Sequence, residues 1–169
     1  ETSITPVKSG NEYKLGLWVR DAAAGVGTLT FYEPNTNSFM ALGHGISDID
    51  TEKIVDIASG GLITASILTI KKGVKGTPGE IRGTIENGNN IGKIGKNTNL
   101  GVYGTVTNKN YLDISGMEEM EVATRSEIQE GKAQIICQLD NNGRKTYEIE
   151  IEKIYLANNT DNKSMLIKV

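Results

Sequence analysis

The chain has 169 residues, of which 37% are hydrophobic and 23% charged, and its formal net charge at pH 7 is -3. This composition is typical of one soluble globular domain, or of two small barrels sharing an interface, rather than of a disordered chain. Basic residues are scattered and not interleaved with aromatic ones, which argues against a nucleic-acid-binding surface. No stretch reaches the ~20 apolar residues of a transmembrane helix.

The predicted elements are short β-strands. Alternating runs rich in β-branched residues are separated by glycine-containing turns, which indicates an all-β sandwich or barrel. We expect strands at residues 13–20, 27–32, 38–42, 62–71, 80–86, 100–107, 119–124, 133–139, 145–154 and 165–169. Residues 1–12 read as a linker before one domain over 13–169, and the opening run suggests a piece of a longer protein.

Turn signals connect these strands. The run Asp140–Gly143 predicts a hairpin, and residues 33–37 predict a connector that returns the chain along 38–42. The glycine-rich run 88–97 lacks the spacing of a phosphate-binding loop, so we expect a turn or bulge there. Residues 126–131 favour a short helix or a turn.

His44 is the candidate catalytic residue. Glycines on both sides expose its ring at the end of a predicted strand, and an imidazole can exchange a proton near neutral pH. The alternative is a structural histidine. Asp48 is the first candidate to orient the ring, although an aspartate here also favours a local turn, and Asp21 is a weaker candidate.

The single cysteine, Cys137, excludes an internal disulfide. One cysteine and one histidine cannot supply the usual four ligands of a structural zinc site, so we expect no metal and no cofactor. Cys137 shares one face of its predicted strand with Ala133, Ile135 and Leu139. This favours a buried small hydrophobic residue over a nucleophile.

Three ordered motifs resemble a known family. Residues 16–21 (Gly-Leu-Trp-Val-Arg-Asp), 24–31 (Ala-Gly-Val-Gly-Thr-Leu-Thr-Phe) and 41–48, with Ala-Leu-Gly-His and then Ile-Ser-Asp, look like the opening of the stage IV sporulation protein B peptidase domain. The resemblance implies a serine endopeptidase with a trypsin-like double β-barrel, incomplete at its C-terminal end. It also implies that His44 is the residue that takes the proton from the serine hydroxyl.

The sequence departs from the family at the nucleophile. The family carries its serine in a Gly-Met-Ser-Gly-Ser-Pro segment near the end of the domain, with an acidic partner before it, and this segment does not occur here. We therefore expect the nucleophile to lie beyond Val169 and the 169 residues to be inactive alone. His44 is the one catalytic residue that the resemblance assigns.

The resemblance also implies a biological setting. The family acts in endospore formation, is exported into the space between the forespore and mother-cell membranes, cleaves itself, and cuts regulators of a membrane-embedded protease. A peptide-binding PDZ domain and a membrane anchor normally precede the peptidase region. The expected partners are protein or peptide substrates, including the chain itself, and membrane-proximal proteins.

Two other functions fit the same strand pattern. A β-rich module can capture peptides on a sheet edge without cutting them, and a purely structural β-sandwich would leave His44 without a role. Dimerisation through unpaired strand edges is an alternative to a monomer in each case.

Overall fold

The computed structural model describes residues 3–16, 23–77, 79–85, 88–155 and 163–169. Nearly all regular structure in these ranges is extended, and the single helix among them is a 3-10 turn at Lys109–Tyr111. This confirms the predicted all-β class. The strands are β1 Val7–Ser9, β2 Glu12–Lys14, β3 Leu29–Glu33, β4 Ser38–Ala41, β5 Gly60–Ile63, β6 Ser66–Lys71, β7 Glu80–Thr84, β8 Asn90–Thr98, β9 Gly101–Val106, β10 Gly131–Cys137, β11 Lys145–Ile154 and β12 Met165–Lys168.

The largest sheet has five antiparallel strands in the order β3-β4-β9-β8-β5. Alternate residues of β4 and β9 point to one face, so Phe39, Ala41, Val102 and Val106 are buried together. Phe39 is the largest fully buried side chain among the described residues, with 1% exposure. It pairs with Gly104 on β9, where the absence of a side chain leaves room for its ring.

Three smaller sheets accompany the first. Strands β10, β11 and β12 form an antiparallel sheet, and β6–β7 and β1–β2 are two-stranded ribbons. The side chain of Asn141, in the turn between β10 and β11, joins two of them: it accepts a hydrogen bond from Ile67 N and donates one to Ile67 O, both at 3.0 Å. Within the described residues these sheets are open and do not close into a barrel.

The prediction of a turn or bulge over 88–97 is correct only in part, because the segment is a strand with an irregularity at one glycine. This segment forms most of β8, a nine-residue strand paired with β9 on one side and β5 on the other. Its glycines serve close packing, because a Cβ at Gly92 would overlap the carbonyl oxygen of Thr105. Gly95 marks a register shift between Ile94 and Lys96. The glycines therefore belong to the strand and do not end it.

Other boundaries also differ from the prediction. The expected strand 62–71 is divided into β5 and β6, and Thr64 at the break donates its amide to Asn89 O at 3.1 Å. Residues 119–124 are exposed and form no strand, and residues 125–127 form a turn. The hairpin at Asp140–Gly143 and the return at 33–37 are confirmed.

The N-terminal region holds the β1–β2 ribbon, in which every residue is exposed. The division into a linker over 1–12 and a domain over 13–169 stays a prediction. Residues 17–20, the end of the first predicted strand, lie outside the described ranges. In the part of the chain that is described, no helix is long and apolar enough to cross a membrane.

Candidate active site

The chain leaves β4 through Leu42, whose backbone is fixed in two places. Leu42 N donates to Thr28 O at 2.9 Å, and the Thr30 hydroxyl donates to Leu42 O at 2.9 Å. The φ angle of Leu42 is 63°, a left-handed conformation that is uncommon for a bulky residue. This conformation turns the chain away from the sheet and begins the histidine loop, which we define as residues 43–45.

Two glycines make room for the side chain of Leu42. A Cβ at Gly27 would overlap Leu42 Cδ2, and a Cβ at Gly25 would lie 3.5 Å from Leu42 Cδ1 and 3.4 Å from Ile46 Cγ1. The glycine-containing run 24–31 therefore packs against the segment that carries His44. Two of the three motifs that suggested the family are in direct contact.

The other end of the histidine loop is fixed by Asn97 on β8. Its Oδ1 accepts a hydrogen bond from Ile46 N at 2.9 Å, and its Nδ2 donates to Ile46 O at 2.7 Å and to Val55 O at 3.0 Å. Val55 N also donates to Ile46 O at 3.0 Å. A single half-buried amide side chain thus ties the segments before and after the turn at 48–53 to the central sheet.

Gly45 allows the loop to lie close to β8. A Cβ at this position would be 2.6 Å from Thr98 O, a backbone atom that cannot move aside cheaply. Any other residue at position 45 would push the loop off the sheet. The residue after His44 is therefore glycine for a packing reason as well as for exposure.

His44 lies exposed between these two fixed points. Its Nδ1 is 3.0 Å from Gly45 O. Because a carbonyl oxygen only accepts hydrogen bonds, this contact requires a proton on Nδ1, and in the neutral ring Nε2 then has a free lone pair. An exposed Nε2 that can accept a proton is what a general base needs.

The candidate acids are placed differently. Asp48 Oδ1 accepts hydrogen bonds from Asp50 N at 3.1 Å, Thr51 N at 2.9 Å and the Thr51 hydroxyl at 3.0 Å. These contacts form the local turn that the sequence offered as the alternative. Asp21 lies outside the described residues. In the described part of the chain, the partner of the His44 ring is the Gly45 carbonyl.

A shallow surface depression of about 500 Å³ lies at the β8–β9 hairpin and is lined by Lys96, Thr98, Asn99, Leu100 and Tyr103. No residue of the histidine loop lines it. The depression offers an apolar wall with one cationic side chain at its edge.

The other candidate nucleophiles and metal ligands are not part of the His44 site. Among the described residues, no serine hydroxyl is hydrogen-bonded to the His44 ring, and no group of three or more His, Cys, Asp or Glu side chains could hold a metal ion. Cys137 is half-buried on β10. Cys137 is therefore less buried than the sequence predicted.

Asn97 is the site residue that the sequence did not reveal. Its partners Ile46 and Val55 are 51 and 42 residues away, and it lies in the run interpreted as a turn. The run before it shows no strand-like alternation, because Ile91 and Ile94 are three residues apart.

Comparison with known proteins gives one match. The model of the family described as SpoIVB peptidase S55 matches residues 11–169. Neither the curated proteins nor the solved structures include a match to this chain. The match spans the β3–β4 hairpin, the histidine loop and β8 with Asn97, which together build the site. The chain therefore belongs to the SpoIVB peptidase S55 family.

Proposed function

We propose that this chain is the histidine-bearing part of a serine endopeptidase and that His44 is its general base. The observation that supports the proposal is an exposed imidazole on a three-residue loop fixed at both ends, with Nδ1 directed to Gly45 O. Fixed orientation matters because a proton is transferred efficiently only when base and hydroxyl are within hydrogen-bond reach.

The chemistry follows from the ring's orientation. The Nε2 lone pair removes the proton from a serine hydroxyl as the oxygen attacks the peptide carbonyl, and the imidazolium then gives that proton to the leaving amine. The Gly45 carbonyl holds Nδ1 during both steps. By resemblance, the serine belongs to the Gly-Met-Ser-Gly-Ser-Pro segment, which does not occur in the 169 residues.

The substrates in this proposal are proteins, including the chain itself and regulators of a membrane-embedded protease. By resemblance, we propose that this activity serves sporulation, in the space between the forespore and mother-cell membranes.

A fluorophosphonate probe tests the assignment of the nucleophile. The purified 169-residue chain should remain unlabelled, because a base without its serine has no hydroxyl to activate. Intact-mass measurement after incubation detects one adduct per chain. Stoichiometric labelling of any serine in these residues would refute the assignment.

Peptide titration separates the proposal from the non-catalytic alternative. A binding module that adds a peptide strand to an open sheet edge would show saturable binding that His44→Ala leaves unchanged. The peptidase proposal expects His44→Ala to alter turnover once the serine is present. Equal turnover of both proteins would favour the binding module.

Open sheet edges also favour self-association. Met165, Leu166 and Ile167 on β12 are 38–46% exposed at the edge of the three-stranded sheet. We propose that two chains pair through such an edge, since unpaired strands recruit other strands. Light scattering during size-exclusion chromatography should give the mass of a dimer, and a monomer at all concentrations would contradict this.

A further inference from the structure

The β6–β7 ribbon ends in an ordered, fully exposed tip. Val74 N donates to Thr77 O at 2.9 Å and Thr77 N donates to Val74 O at 2.8 Å, which closes a tight turn around Lys75 and Gly76. Gly76 has a φ of 83°, the left-handed conformation that glycine adopts without strain. Asn141 fixes the base of the ribbon through Ile67, so the tip is preformed and supported.

The ribbon is basic in an acidic protein. Between Ser66 and Thr84 it has four basic side chains and one acidic side chain, whereas the whole chain has a net charge of -3. The acidic residue, Glu80, is paired with Arg82 at 3.0 Å and lies opposite Lys71 in the strand register. The three exposed lysines at the tip are Lys71, Lys72 and Lys75.

Apolar side chains are exposed among these lysines. Val74 at the tip is 69% exposed, and Leu68 further down the ribbon is 65% exposed. Both side chains leave apolar area in contact with water. A convex tip with lysines around exposed apolar groups is suited to a flat surface that is anionic outside and apolar beneath.

We propose that the β6–β7 tip is a peripheral docking element for an anionic lipid bilayer, with Val74 entering the headgroup boundary and Lys71, Lys72 and Lys75 contacting the anionic headgroups. Charge complementarity favours this surface over the acidic remainder of the chain, which anionic headgroups repel. Docking here would hold the ribbon at a membrane surface. The β6–β7 ribbon shares no residue with the histidine loop, so membrane docking and the proposed peptidase function are tested independently.

Vesicle co-sedimentation tests the proposal with the 169-residue chain. It should bind vesicles of phosphatidylcholine and phosphatidylserine, bind weakly to phosphatidylcholine alone, and dissociate as salt rises. Replacing Lys71, Lys72 and Lys75 with glutamine should reduce the partition coefficient by about fivefold per lysine, on the order of 100-fold in total. Circular dichroism of the variant checks that the fold is retained.

A matched variant controls for net charge. Replacing Lys8, Lys132 and Lys168 with glutamine removes the same charge from exposed positions outside the ribbon and should change binding by less than about twofold. Equal losses in the two triple variants would overturn the proposal. So would equal binding to neutral vesicles, or binding to polyglutamate without binding to vesicles, which would indicate an acidic protein partner.

A second pair of variants tests the apolar contact at constant charge. Val74→Ser should reduce binding to anionic vesicles by about tenfold, because the side chain then gains little on leaving water. Val122→Ser changes a residue that is 91% exposed in the segment 119–124 and should leave binding unchanged. Binding that is insensitive to Val74→Ser would rule out insertion of the tip. His44→Ala should bind vesicles like the unmodified chain.

Discussion

The side chain of Asn97 makes hydrogen bonds to a backbone segment that the backbone of a neighbouring strand would otherwise make. The amide satisfies both polar groups of the Ile46 backbone, at 2.9 and 2.7 Å, and one more at Val55. These bonds position the residue two places after His44 relative to the central sheet. Asn97 is therefore a positioning residue for His44, which it does not touch.

Replacing Asn97 should destabilise the protein and free the loop. Asn97→Ala leaves a half-buried Ile46 amide without its acceptor, so we expect a loss of about 1–3 kcal/mol in the free energy of unfolding. Asn97→Asp keeps the acceptor for Ile46 N but places a carboxylate oxygen against the carbonyl oxygens of Ile46 and Val55, so we expect it to be at least as destabilising as Asn97→Ala. Urea denaturation measures the effect, with Asn99→Ala in the adjacent exposed turn as control. Equal stability of Asn97→Ala and Asn99→Ala would contradict the role.

Glu33 gives the fold a specific pH dependence. Hydrogen bonds from the Thr36 hydroxyl, and from the amides of Asn35 and Thr36, lower the pKa of its carboxyl from 4.5 to about 2. Because the folded-state pKa is lowered, the ionised carboxylate stabilises the fold above pH 4.5. That contribution is lost as the pH falls towards about 2.

Glu33→Gln should remove this part of the pH dependence. Between pH 4.5 and about 2 the unmodified chain should lose more stability than the variant. The reason is that the Glu33 carboxylate takes up a proton in this range, whereas a glutamine at the same position does not. Denaturation at several pH values measures the difference. Thr36→Val, which removes the first donor, should reduce the pH dependence partly. Parallel curves for all three proteins would contradict the assignment.

The sequence was informative about single residues only where their signals were local. His44 was a candidate because glycines flank it, and the turn-forming role of Asp48 was foreseeable from its neighbours. The contacts of Asn97 join segments 51 and 42 residues apart, and no nearby residue indicates them. Its role required the fold.

Among the predicted strands and turns, the main error came from glycine residues that lie within a strand. The glycines of β8 resemble turn residues, but at Gly92 the missing side chain allows two strand backbones to approach closely. The alternation of residues 119–124 resembles a strand, yet this segment has no pairing partner in the described part of the chain. Strand pairing depends on neighbours that a local pattern does not contain.

Two glycine substitutions test whether a strand glycine is needed for close packing. In Gly104→Ala the added methyl would overlap the Lys93 carbonyl and lie 2.8 Å from the Phe39 ring, so we expect a loss of about 2–3 kcal/mol. Gly95→Ala has no atom within 4 Å of its Cβ and should keep or slightly raise stability. Thermal unfolding compares the two. Similar melting temperatures would show that Gly104 is not needed for close packing.

For the whole molecule, composition and alternation were sufficient to predict the all-β class, and the ordered motifs were sufficient to predict the family. The arrangement of strands into one five-stranded and several smaller sheets was not predictable, because strand order depends on contacts distant in sequence. The site lies where the segment after β4 reaches Asn97 of β8, and only the folded sheet, with β9 between β4 and β8, brings these residues together.

The proposed mechanism requires that His44 accept the proton of the catalytic serine. The most direct measurement compares fluorophosphonate labelling rates of a polypeptide in which these residues are joined to the family's serine segment, with and without His44→Ala. We expect the parent to label stoichiometrically and His44→Ala to slow labelling by at least about 10²-fold, in line with loss of a general base. Equal labelling rates of the two proteins would contradict the claim.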